Sequence, residues 1–157
     1  HFLQMLNRTE NFPSVIIRLF LTYGPCQDSS RFLPQIIRGC LDDTVFPTSR
    51  GDQLRDFCYV DDTVRAILQA LTQPEIEGNI FNVASGKAVS IRTVIEKVCE
   101  LTGYGNPQYG EVSHRNGENI SLYANISKAK NILKWESSTS LDTGLKKTID
   151  WFACVNA

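Results

Sequence analysis

Histidine is nearly absent from this chain, with two in 157 residues, and there is a single methionine, Met5. Neither charge sign is in excess: 16 Lys and Arg stand against 17 Asp and Glu, for a formal net charge of -1. That balance excludes a global basic field for nucleic acid or for an anionic membrane surface. No apolar run reaches the roughly 20 residues needed to span a bilayer. The five cysteines, Cys26, Cys40, Cys58, Cys99 and Cys154, include no Cys-x-x-Cys pair and have no histidine close by in sequence. A zinc site and a disulfide framework are therefore not expected, and a reducing cytoplasmic setting is. Low-complexity tracts, internal repeats and charge blocks are missing too, so no linker divides the chain.

What is present is the composition of an ordinary globular protein, 42% hydrophobic and 21% charged, long enough for one domain with a real core. Residues 1–11 read as the tail of a helix closed by Pro13. Val15 to Phe20 is a nearly continuous apolar run, the mark of a strand covered on both faces. Tyr23-Gly24-Pro25 then breaks the chain. Phe32, Ile36, Ile37 and Cys40 fall on one face of a helix over 32–41. Phe46 to Thr48 and Phe57 to Val60 read as short strands. Asp61 stands where an N-cap is needed, ahead of Val64, Ile67, Leu68 and Leu71 at helical spacing. Asn79 to Val83 is a further buried strand. Ser90 caps a helix bearing Ile91, Val94, Ile95, Val98 and Leu101, and two helices, 127–135 and 140–152, follow. Strands alternating with helices of this length predict an α/β fold with a largely parallel sheet.

Arg55-Asp56-Phe57-Cys58-Tyr59-Val60-Asp61-Asp62 is the most informative segment. It sets an arginine at a strand edge, a rigid place from which a guanidinium can grip a phosphate through paired hydrogen bonds. With the segments around it, it resembles the extended short-chain dehydrogenases/reductases, the NAD-dependent nucleotide-sugar epimerases and dehydratases. Arg18 to Pro25 is similar to their Arg-x-x-Asn-Val-Tyr-Gly-Pro segment, and residues 55–62 to their Arg-Asp-Phe-x-Tyr-Val-Asp-Asp. Asn82 to Gly86 resembles their Asn-x-Gly-x-Gly turn, and Arg115 to Glu118 an Arg-x-Gly-Glu/Asp loop. Asn125 to Trp135 resembles their Asp-x-Ser-Lys-Ala…Gly-Trp helix.

The resemblance implies the C-terminal half of a Rossmann-like fold, with the remaining parallel strands and a small substrate-binding subdomain. It implies that residues 1–157 form a single C-terminal fragment, the N-terminal NAD-binding half missing. Arg55 and Arg115 would contact the diphosphate of a nucleoside-diphosphate sugar, Phe32, Phe46 and Thr48 would surround base and ribose, and Gln53 would make a polar substrate contact. Tyr23 and Pro25 would lie beside the nicotinamide of NAD or NADP. Glu118 would orient Arg115 or its loop. Intact relatives often pair as homodimers through the helix that ends near residue 1.

Two departures matter. Leu21 stands where most members carry an asparagine, and a leucine cannot supply that hydrogen bond. The glycine-rich cradle for a pyrophosphate and the Tyr-x-x-x-Lys proton-transfer pair are both absent from the chain. The expectation is therefore the substrate-holding part of a nucleotide-sugar 4-epimerase, 4,6-dehydratase or 4-reductase, acting by hydride exchange at the hexose ring. No catalytic residue is assigned, and the part alone would be inactive. The alternative is a non-catalytic nucleotide-sugar binding module.

Overall fold

The computed structural model describes residues 1–113 and 117–155. Helix α1 (Phe2–Glu10) is followed by strands β1 (Ile16–Leu19) and β2 (Leu21–Tyr23), helix α2 (Phe32–Leu41), and strands β3 (Val45–Thr48), β4 (Leu54–Arg55) and β5 (Phe57–Tyr59). Helix α3 (Val60–Thr72), strands β6 (Ile80–Val83) and β7 (Val89–Ser90), helix α4 (Ile91–Thr102), strands β8 (Asn106–Tyr109) and β9 (Ser121–Leu122), and helices α5 (Ser127–Asn131) and α6 (Leu141–Val155) complete the order. The architecture is mixed α/β, with parallel pairing of β1 with β6, β3 with β8 and β4 with β9. The chain forms two units, one of residues 1–22, 56–87 and 123–138, the other of residues 23–55, 88–122 and 139–157.

The first unit packs Phe81 and Val83 of β6 against Ala66 of α3, Ala129 of α5, and Leu133 and Trp135 just beyond it. Two buried carboxylates tie its segments together. Asp56 accepts hydrogen bonds from the Ser85 hydroxyl (2.6 Å) and from the amides of Ser85 (2.7 Å), Gly86 (3.0 Å) and Ala124 (3.2 Å). Asp62 accepts from the hydroxyls of Ser137 and Ser138 (both 3.0 Å) and pairs with Arg65 at 2.8 Å, while its backbone carbonyl takes the Trp135 indole N–H at 3.0 Å. Each of these anchors fixes a loop that carries no regular structure of its own.

Two expectations in this unit are corrected. Asp61 is not the N-cap: Tyr59, in extended conformation, holds that position two residues earlier, α3 begins at Val60, and Asp61 and Asp62 occupy its first turn. The stripe Val64, Ile67, Leu68 and Leu71 does not face this unit's core, since those residues are 47%, 39%, 57% and 78% exposed. The opposite face is the buried one, through Asp62, Thr63 and Ala66. Strand β1 is likewise not covered on both faces. It pairs with β6 alone among the described residues, and Arg18 and Leu19 are exposed.

The second unit is built on the helices α2, α4 and α6, whose apolar faces meet at Ile37, Cys40, Val94, Ile95, Val98, Leu145, Ile149 and Phe152. Ser90 caps α4 as expected, its hydroxyl oxygen accepting the Thr93 amide at 3.0 Å, and Gly103 ends the helix in the left-handed region. Ser140 does the same for α6 through the Thr143 amide. Strand β4 is the middle of a three-stranded sheet, antiparallel to β7 and parallel to β9. That position holds Arg55 on a backbone paired from both sides, opposite Val89 and Leu122.

Candidate functional site

The site is a cleft of about 320 Å³ in the second unit, within the range of small-molecule pockets. Helix α2 gives one wall through Phe32, Gln35 and Ile36, and β3 with the turn after it gives Pro47, Thr48 and Ser49. Gln53 and Arg55 come from β4 and the residue ahead of it, Ile91 from the start of α4, and Val112, Ser113 and Glu118 from the segment before β9. A tight backbone arrangement brings these pieces together. Gly51, in the left-handed region, lets the 49–53 turn approach Arg92, whose amide donates to the Gly51 carbonyl at 2.9 Å; the Ile91 amide donates to Gln53 at 3.0 Å. A Cβ at Gly51 would lie 2.8 Å from the Arg92 amide nitrogen.

The strongest electrostatic feature of the cleft is Arg55. Its side chain is only 11% exposed, its Nη2 donates to Glu118 Oε1 at 2.6 Å, and its Nη1 donates to the Leu54 carbonyl at 2.9 Å. A guanidinium so held is fixed in orientation before any ligand arrives, and it carries five N–H donors, more than these two contacts use. Thr48 is buried and its hydroxyl donates to the Ser49 carbonyl at 3.0 Å. Gln53, also buried, exchanges side-chain hydrogen bonds with Ser49 at 3.3–3.4 Å. The cleft thus combines one aromatic ring, four apolar side chains, several amide and hydroxyl groups, and one cation oriented by a carboxylate.

Four of the six expected substrate residues, Phe32, Thr48, Gln53 and Arg55, therefore lie on one cleft. Arg115 falls outside the described residues. Phe46 is not on the cleft wall: its ring packs against Gly39 of α2, where a Cβ would stand 2.5 Å from the Phe46 Cδ1. The missing side chain leaves a slot into which the ring settles. Tyr23 and Pro25 do not line the cleft either. Tyr23 is buried, with its hydroxyl donating to the Leu141 carbonyl at 3.3 Å, and Pro25 is half-buried in the turn that follows. Glu118 pairs with Arg55, a role the sequence pattern did not assign it. Ser49, Val112 and Ser113 carried no sequence signal and Ile91 only that of a helix face, because only the folding of three separate segments brings them to one place.

No described residues form a cradle for a pyrophosphate. Helix α3 starts directly after a strand, but its first turn carries Asp61 and Asp62, which repel a phosphate. No donor set among the described residues fits the pyrophosphate of a nicotinamide dinucleotide. Among the described residues, no group of His, Cys, Asp and Glu is placed to hold a metal ion, and no helix is long and apolar enough to cross a membrane.

This α/β architecture is shared with short-chain dehydrogenase/reductase epimerases of known structure. Residues 1–84 match the model of the NAD dependent epimerase/dehydratase family, and the chain belongs to that family. The dTDP-glucose 4,6-dehydratase 1 of Escherichia coli K12 is 25% identical over 160 residues, covering 97% of this chain and 44% of its own length. The UDP-glucose 4-epimerase of Thermotoga maritima, solved with UDP-glucose, superposes with a TM-score of 0.91 at 28% identity, over 99% of this chain and 51% of its own. The UDP-glucuronic acid 4-epimerase of Bacillus cereus, solved with UDP-glucuronic acid and NAD, gives 0.87 at 28% identity, over 99% and 50%. The chain spans about half the length of the relatives it matches.

Proposed function

We propose that the cleft of the second unit holds the nucleoside diphosphate of a nucleotide sugar, and that the chain is the substrate-holding part of an NAD-dependent nucleotide-sugar epimerase or dehydratase. The observation that carries this reading is Arg55, oriented by Glu118 on the wall of a cleft that Phe32, Thr48 and Gln53 also line. Arg55 takes the diphosphate, Phe32 offers a ring to the base, and Thr48 and Gln53 offer hydrogen bonds to base and ribose. Arg115 is assigned to the same diphosphate through its place in the Arg-x-Gly-Glu pattern. Relatives solved with UDP-sugars and NAD support both ligands for the whole enzyme. The nicotinamide cofactor, with Tyr23 and Pro25 on its approach, is held in this reading mainly by residues outside the 157, together with the proton-transfer pair. The exposed apolar stripe of α3 supports a further covering part.

Titration of the chain with UDP, dTDP and their glucose conjugates tests the assignment. The expected outcome is saturable binding that Arg55→Ala weakens at least tenfold, roughly the loss of one charge-assisted contact. Equal affinity in the wild type and the variant refutes the diphosphate role. The chain with added NAD and UDP-glucose is expected to show no turnover, and measurable epimerisation or dehydration would overturn that part.

A further inference from the structure

Two cysteines separated widely in sequence meet in the second unit. Cys40 lies in the last turn of α2 and Cys99 in the last turn of α4, and their sulfurs stand 3.6 Å apart. Gly105, in the segment after α4, closes over both: a Cβ there would lie 2.6 Å from the Cys40 sulfur and 3.0 Å from the Cys99 sulfur. Cys40 is wholly buried, whereas Cys99 is partly open to solvent. Burial, with the neighbouring Cys99 thiol next in effect, pushes the Cys40 thiol up to about 12. Cys99 is therefore the sulfur that a solution oxidant meets first, and Cys40 is the one placed to resolve it. The remaining cysteines have no such neighbour: Cys58 is buried in the other unit beside the Thr63 hydroxyl, and Cys26 and Cys154 are exposed.

We propose that Cys40 and Cys99 are a redox modification site, closing to a reversible disulfide when the chain meets hydrogen peroxide or another hydroperoxide. In the first step the Cys99 sulfur attacks one peroxide oxygen and the O–O bond breaks. Cys99 becomes a sulfenic acid, and one water leaves when the oxidant is hydrogen peroxide, or the corresponding alcohol when it is an organic hydroperoxide. The Cys40 sulfur then attacks the Cys99 sulfur, forming the S–S bond and expelling hydroxide, which leaves as water with the proton from Cys40. Two thiols lose two electrons and the peroxide gains them. Two equivalents of a low-molecular-weight thiol restore the pair by exchange.

The link would join the far ends of two helices that line the cleft. Phe32, Gln35 and Ile36 on α2, and Ile91 on α4, line it from the opposite ends of the two bridged helices. Closure fixes the spacing of those walls, and it occurs whether or not the cleft binds a nucleotide. A pair that merely fills the core would show the same sulfur contact but would not close.

The test uses the full chain with Cys26→Ser and Cys154→Ser, which removes the exposed thiols and so any intermolecular bridging through them. After hydrogen peroxide treatment, peptide mass mapping without reductant is expected to find the Cys40 and Cys99 peptides joined, two hydrogens lighter than their sum. Dithiothreitol should separate them. The oxidised chain should unfold about 10 °C higher than the reduced one, as expected for a cross-link closing a loop of this size, and adding Cys99→Ala should abolish both effects. Recovery of Cys40 as a free thiol while Cys99 runs on to sulfinic acid would show a packing pair and overturn the proposal. So would a rise in Tm that persists in the Cys99→Ala variant.

Discussion

Asp56 and Arg55 are adjacent in the chain and do opposite kinds of work. Arg55 presents its charge to a cleft, while Asp56 buries its carboxylate under four donors, three of them backbone amides. Replacing Asp56 with alanine strands the amides of Ser85, Gly86 and Ala124 away from water, at a cost of about 3 kcal/mol or more. Urea unfolding of Asp56→Ala should show that loss with an unchanged m-value; a change below about 1 kcal/mol would mean that water reaches those amides. The Arg-Asp-Phe pattern pointed to the arginine and left the aspartate without a role. Its burial could be suspected from a carboxylate heading an apolar strand, but its partners, 29 to 68 residues away, could not. The same distance hides the meeting of Cys40 and Cys99.

Among the elements, helices were legible where their apolar faces serve this chain's own core. Helix α2 spans residues 32–41, as its spacing of Phe32, Ile36, Ile37 and Cys40 requires, and α4 starts at its Ser90 cap and ends at Gly103. Helix α3 shows the limit of that signal. Its periodicity reports an amphipathic helix, but not which side the rest of this chain covers, and the buried side carries Asp62 and Thr63. Substituting Leu68, 57% exposed, with glutamine should therefore change the stability of this chain by less than about 0.5 kcal/mol. A thermal or urea midpoint shifted by more than that would show that the stripe is covered in solution. Strands β7, β8 and β9 had no pattern to read. Asn106-Pro107-Gln108-Tyr109 is drawn into a sheet by pairing with β3 and not by its own β propensity. The cleft was legible in part for the same reason. Phe32, Thr48, Gln53 and Arg55 sit on or beside elements with clear signals, while Phe46 was diverted by the slot at Gly39.

For the molecule as a whole, each unit is assembled from three separate stretches of chain. The parallel ladders join Ile16 to Ile80, Val45 to Asn106 and Leu54 to Ser121, so none can form before a loop of some sixty residues has closed. That closure costs entropy before any contact repays it, which places the chain among slow folders, with time constants of milliseconds to seconds. Stopped-flow refolding should find its main phase there, and a dominant phase of a few microseconds would contradict it. During that interval the apolar residues of α3 and the unpaired edge of β1 are open to other copies. Yield on refolding should accordingly fall as protein concentration rises. The practical handle on this chain is thus a kinetic one, and dilution should recover more native protein than any change of salt.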